Sequence, residues 1–324
     1  MNARRANWAF LITIIAYILL ALFGAYFFPV ITNNIVISNL AVEIVIFIPV
    51  LVFMLVSREN LVGFWNFRKM KPGTVLMTGL FTFLTMPVMT LFNLLSQFWT
   101  KNEISLMMEE YQMADMPFWQ LWISLGVVAP VFEEVICRGA FYRSYRRSAS
   151  AWKAMLLSAV VFACLHMNFN QAAYAVVVGV FAVLLVEATG SLWASIIYHS
   201  VINSSSCLLM YFAMKVDPQG SSTQAVTWDI LIMGVGIYLI WAAATLPFAF
   251  AVLAWMGKHE GREGVLTGIW RERKWIPQPD AGKDGEMKKD KLITVPLVLA
   301  LILCLLVMTG IFSQAVMKLT LWLS

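Results

Sequence analysis

Apolar residues along this chain come in long blocks separated by short polar segments. An α-helix rises about 1.5 Å per residue, so roughly 20 apolar residues cross a hydrocarbon core of about 30 Å. Nine blocks approach that length: Trp8–Val30, Leu40–Ser57, Thr74–Phe98, Phe118–Phe141, Trp152–Met167, Ala172–Ala188, Leu192–Met214, Ile230–Met256 and Leu292–Leu323. No alternation of period two marks a strand, and the expected fold is an all-α polytopic bundle of about nine transmembrane spans. Thr100–Met116 mixes acidic and apolar residues and is expected to form an amphipathic helix at the outer interface, whereas Asp217–Thr227 reads as a polar loop. The segment 257–291 is rich in both charge signs, contains Pro277 and Pro279, and reads as a solvated, partly flexible cytoplasmic loop. This divides the chain into N-terminal spans with the outer segment (1–117), a central set of four spans (118–214), and a C-terminal pair joined by the loop (215–324).

Composition agrees with lipid as the solvent: 60% of the 324 residues are hydrophobic and 13% charged, a balance that one water-soluble core could not hide. All but Lys101, Lys215 and Lys318 of the 23 Lys and Arg fall on one side of a nine-span arrangement, which places the N-terminus in the cytoplasm. The net charge of +5 is thus explained by topology and needs no nucleic acid. The first block is too long for a signal-peptide core and is followed by further spans, so a retained helix and a multi-pass protein of the cell membrane are expected. Cys137, Cys164, Cys207 and Cys304 lie inside the blocks without metal or redox spacing and read as small buried hydrophobes.

Ionisable residues in the middle of a span are costly and mark function by default. The fourth block carries Glu133-Glu134-Val-Ile-Cys-Arg138, the fifth Phe162-Ala-Cys-Leu-His166, and the seventh His199-Ser-Val-Ile-Asn203. Glu134 and Arg138 stand at i and i+4 and are expected to pair, while Glu133, about 100° round the helix, is free to face a cavity. His199 and Asn203 share a helical face. Pro130, three residues before Glu133, is expected to kink the span and open a polar pocket. Singly, an intramembrane His or Asn is as well explained as interhelical glue, and a Glu–Arg pair as a brace; jointly they point to a site. Counted at about 1.5 Å per residue from the cytoplasmic boundary, Glu133 and His199 lie at similar depth and His166 deeper, so the site is expected to open toward the cytoplasmic half. His259 reads as a solvated loop histidine without a partner, and Glu43 and Glu187 as residues near span ends, where snorkelling or an interfacial contact accounts for them.

In these motifs the sequence resembles the CPBP family, the CAAX proteases and bacteriocin-processing (Abi) enzymes that include the type II CAAX prenyl endopeptidases. The family pattern E-E-x-x-x-R, F-x-x-x-H and H-x-x-x-N/D on successive membrane helices is intact, over about Phe118–Met210. The resemblance implies a glutamate-dependent intramembrane endopeptidase in which Glu133 and His166 activate water. His199 and Asn203 then supply oxyanion donors, and Glu134, Arg138 and Phe162 support them. No cofactor is expected on this reading. A zinc alternative uses Glu133, His166 and His199 as a His₂Glu set, although no H-E-x-x-H occurs. The expected partners are a membrane-associated peptide or protein, such as a bacteriocin leader, a peptide pheromone or a regulatory membrane protein, and the bilayer itself. Two other classes remain open: a non-catalytic immunity or scaffold protein of the same fold, and a proton-coupled transporter.

Overall fold

Asn2 starts the first helix before the apolar run does, because its side chain accepts from the Arg5 amide at 3.0 Å and satisfies one of the free N–H groups of the first turn. In the computed structural model, α1 therefore spans Ala3–Phe27. The residues described are 1–28, 34–111, 113–216, 227–272, 291–312 and 314. Asn34 acts in the same way on α2 (Ile35–Val56), accepting from Val36 and Ile37. After a short helix α3 (Leu61–Trp65) come α4 (Pro72–Ser96), with a proline in its first turn, and α5 (Glu103–Glu110), followed by a 3₁₀ turn at Met113–Asp115. A continuous helix α6 runs over Phe118–Arg146. The hairpin of α7 (Ala151–Leu165) and α8 (Phe169–Thr189) follows, then α9 (Leu192–Val216), α10 (Trp228–His259), α11 (Val265–Arg271) and α12 (Val295–Met308).

Every described element is helical, as the apolar blocks predict. Among the described residues, seven helices are long and apolar enough to cross a membrane; the fifth and ninth blocks appear as the shorter apolar helices α7 and α12. Residues 313 and 315–323 of the ninth block lie outside the described residues, as do 217–226 of the expected polar loop. The segment 257–291 departs from the expectation. Residues 257–259 complete the last turn of α10, and Val265–Arg271 forms a helix of its own. Its apolar residues explain this, since Ile269 is buried and Val265 and Leu266 pack on the core. Pro277 and Pro279 lie outside the described residues.

The bundle is built from paired neighbours: α4 lies along α10, α7 against α8, α1 against α2 and α12, and α8 and α9 against α4. Large apolar side chains of α10 such as Ile240, Trp241 and Phe248 face outward, as expected of a helix in contact with lipid. At the basic end, Glu260 clamps α10 to the start of α4, accepting from the Thr74 hydroxyl (2.6 Å) and the Lys71 amide (2.9 Å) with Arg68 at 3.5 Å. Burial raises this carboxyl, but the hydroxyl, the amide and the two cations outweigh burial and hold it below its ordinary value. The neighbouring His259 is not a bare loop histidine. Its ring stacks on Trp255 at 4.5 Å, and its carbonyl accepts from the Lys71 ammonium.

Candidate active site

The site is built on α6, whose backbone is widened twice into π-helical turns, at Trp122–Val128 and Val135–Tyr142. Pro130 explains the first. It has no N–H to give to the carbonyl four or five residues earlier, so the ladder opens and carbonyls of that segment are left for side chains. Two successive ones are taken up: Leu125 O accepts from Asn203 (3.0 Å) and Gly126 O from Ser204 (3.4 Å), while Ser124 O, which keeps the Ala129 N–H, also accepts from Asn39 (3.3 Å). The proline thus does more than bend the span, because it docks α9 onto the helix that carries the glutamates.

Beyond the widened turn, Glu134 and Arg138 pair at 2.7 Å as their i, i+4 spacing requires, and both side chains are 0% exposed. Glu134 also receives His199 Nδ1 at 3.0 Å. A carboxylate paired with arginine only accepts, so Nδ1 carries its hydrogen and Nε2 is directed elsewhere. That nitrogen stands 3.7 Å from Glu133 Oε2, and the Glu133 side chain is 17% exposed. His166 closes α7 as its C-cap residue, and its Nδ1 lies 3.0 Å from the Phe162 carbonyl. A carbonyl can only accept, so this hydrogen also sits on Nδ1 and leaves Nε2 of the neutral imidazole as a bare base. The chain then turns sharply at Met167 (φ 54°) before Asn168 caps α8.

Phe162 occupies the centre. Its ring meets both imidazoles edge-on, His166 at 4.9 Å and His199 at 5.5 Å, and the Arg138 guanidinium lies over it at 4.3 Å. The guanidinium fits only because α8 offers Gly179: a Cβ there would come within 2.8 Å of Ala159 and 3.3 Å of Arg138 Nη2. Seven residues that the motifs single out, Glu133, Glu134, Arg138, Phe162, His166, His199 and Asn203, are thus gathered from α6, α7 and α9. The Asn203 amide is engaged by Leu125 O, leaving one of its two N–H bonds for other use. Glu133, His166 and His199 do not fit the zinc set as they stand, since no three His, Cys, Asp or Glu among the described residues are arranged to hold a metal ion.

Comparison with known families matches residues 115–205 to the type II CAAX prenyl endopeptidase Rce1-like family. Residues 115–205 thus match a CAAX-protease-family core. The match begins just before α6 and ends two residues after Asn203, so it encloses every motif residue and leaves α1–α5 and α10–α12 outside. A CAAX-protease core implies a peptidase in a multi-pass membrane protein, in agreement with the apolar helices. No curated protein and no solved structure matches the chain.

The position of Glu43 corrects the reading from sequence. It is 3% exposed and lies well inside α2, whose start at the Asn34 cap puts five more residues ahead of it than the block beginning at Leu40 allowed. Glu187 does make the expected end-of-span contact, accepting from Tyr142 at 2.7 Å.

Proposed function

We propose that this chain is an intramembrane endopeptidase that hydrolyses a peptide bond in a membrane-associated peptide or protein, without a metal step. The observation that carries the reading is the pair of imidazoles whose Nδ1 hydrogens are both committed, one to the Phe162 carbonyl and one to Glu134, which leaves both Nε2 atoms for chemistry, that of His199 3.7 Å from Glu133. Water between Glu133 and His166 loses a proton to one of these bases as its oxygen attacks the carbonyl carbon. The proton then passes to the leaving amine as the C–N bond breaks. When His199 carries a hydrogen on Nε2, that hydrogen and the free Asn203 N–H serve the developing oxyanion. Glu134, Arg138 and Phe162 hold the two imidazoles in place.

The clustering of basic residues on one side supports a site that opens toward the cytoplasmic half of the cell membrane. The matched family acts on prenylated CAAX ends, and for this chain a C-terminal peptide carried on a lipid or apolar anchor is the first substrate class to test. Proteoliposomes with wild-type protein and with Glu133→Gln should be incubated with anchored peptide libraries and the products read by mass spectrometry. Loss of products by about 10²-fold or more in the variant is expected. Equal cleavage by a folded Glu133→Gln protein would remove the mechanism.

A further inference from the structure

Along α2, Asn39, Glu43 and Phe47 follow one another at i, i+4 and i+8 and share a face. The two outer residues define what that face meets. Asn39 donates to the Ser124 carbonyl and hydroxyl of α6 (3.3 and 3.2 Å), and Phe47 packs edge-on against Phe132 at 5.3 Å, next to Glu133. Glu43 lies between these two contacts and is therefore directed at the stretch of α6 leading into Glu133. Its side chain is almost fully buried, and Oε2 has no hydrogen-bond partner. Oε2 of Glu133 is likewise buried without a hydrogen bond. Glu133 is the charged group that bears on Glu43, and the cations beside the two motif glutamates, Arg138 and a protonated His199, are both bonded to Glu134.

Two carboxylates cannot both be charged at close range in a dry interior without a cation between them; one keeps its proton. Arg138 and His199 do not fill that gap, because both are bonded to Glu134. The geometry points to Glu43 as a further positioning residue of the site, a carboxylic acid that faces Glu133 from α2 and limits the pair to one negative charge. The base that receives the water proton is then Glu133, ionised while Glu43 stays neutral, and ionisation of Glu43 switches the pair off at high pH. All seven residues of the motifs come from the matched core, whereas this one comes from a helix outside it.

The catalytic consequence rests on the hydrolase reading, but the carboxyl pair does not, so the first test needs no substrate. Infrared difference spectra of the purified full-length protein, with and without carbon-13 glutamate, should show a protonated carboxyl band at neutral pH. It should be missing in Glu43→Gln and shifted in Glu133→Gln. Absence of such a band from wild-type protein overturns the inference whatever the activity, and so does a band that survives Glu43→Gln. Where cleavage is measurable, the alkaline limb of the pH–rate profile should move upward by about one unit or more in Glu43→Gln. An unmoved limb with a reduced rate would make Glu43 a packing residue and overturn its role as a positioning acid. Glu43→Met, judged by thermal unfolding, guards against a folding defect in the amide. If both variants fail to fold, the wild-type band and its shift in Glu133→Gln decide.

Discussion

Glu134 in the bundle interior and Glu260 at the basic end of α10 are both buried carboxylates beside an arginine, yet they are finished differently. Glu260 has its oxygens met by a hydroxyl, a backbone amide and a guanidinium, the full set a structural clamp requires. Glu134 is held by Arg138 and His199 through a single oxygen. Its Oε2 and the Arg138 Nε and Nη2 have no hydrogen-bond partner among the described residues. A brace uses all its bonding capacity, whereas a site keeps some of it unspent where charge must later move. Unsatisfied polar atoms concentrated around Glu133, Glu134 and Arg138 therefore separate the working centre from the fastening better than charge or burial alone.

The contrast can be broken in order of expected effect. Arg138→Met leaves Glu134 buried without its cation and should cost about 3–5 kcal/mol, seen as a large drop in melting temperature in detergent, with cleavage abolished. Replacing both partners, Glu134→Leu with Arg138→Met, should restore most of the stability without restoring cleavage, because an apolar pair packs where the ionic one stood but cannot hold His199. Recovery of activity in the double variant would reduce the pair to a brace like Glu260. Asn203→Ala should lower the rate by about 10²-fold if its free N–H meets the oxyanion; it also releases Leu125 O, so melting must be followed alongside. Gly179→Ala should destabilise by about 1–3 kcal/mol by pushing α8 off Ala159 and crowding Arg138, with activity falling in step. The smallest change belongs to the clamp: Glu260→Gln should cost about 1 kcal/mol and leave cleavage intact. Its sign with pH follows from the lowered carboxyl. The clamp is at full strength above the unfolded value of about 4.3 and weakens as pH falls through the lower folded value, which melting curves across the acid range will detect.

The helical architecture and the site motifs were legible because both are written in spacing. Apolar length specifies a span, and i, i+4 pairs specify a shared face. What escaped was set by caps and by partners far along the chain. Asn34 begins α2 five residues earlier than the apolar run suggests, and that offset moved Glu43 from a helix end to its interior. Trp255 on the preceding turn gave His259 a stacking partner that a loop reading had removed. The bond from Asn203 to Leu125 depends on a widened turn that Pro130 makes possible, and no periodicity announces it. In 257–272 charge density suggested a loop, while a few apolar positions between the charges were enough to fold α11 onto the core.

The widened turn at Trp122–Val128 also changes what kind of mutation α6 can absorb. A π turn carries one residue more than the α turn it replaces, so the helix stores the direction of Glu133 as a count of residues upstream of it. Substitutions within 122–128 that keep the small side chains leave that count alone. Deleting one residue there lets the ladder close as an ordinary α-helix and turns everything after it by about 100°, carrying Glu133 out of the pocket while composition and hydropathy barely change. For this helix, length is the inherited quantity, and an alignment gap is more dangerous than a mismatch.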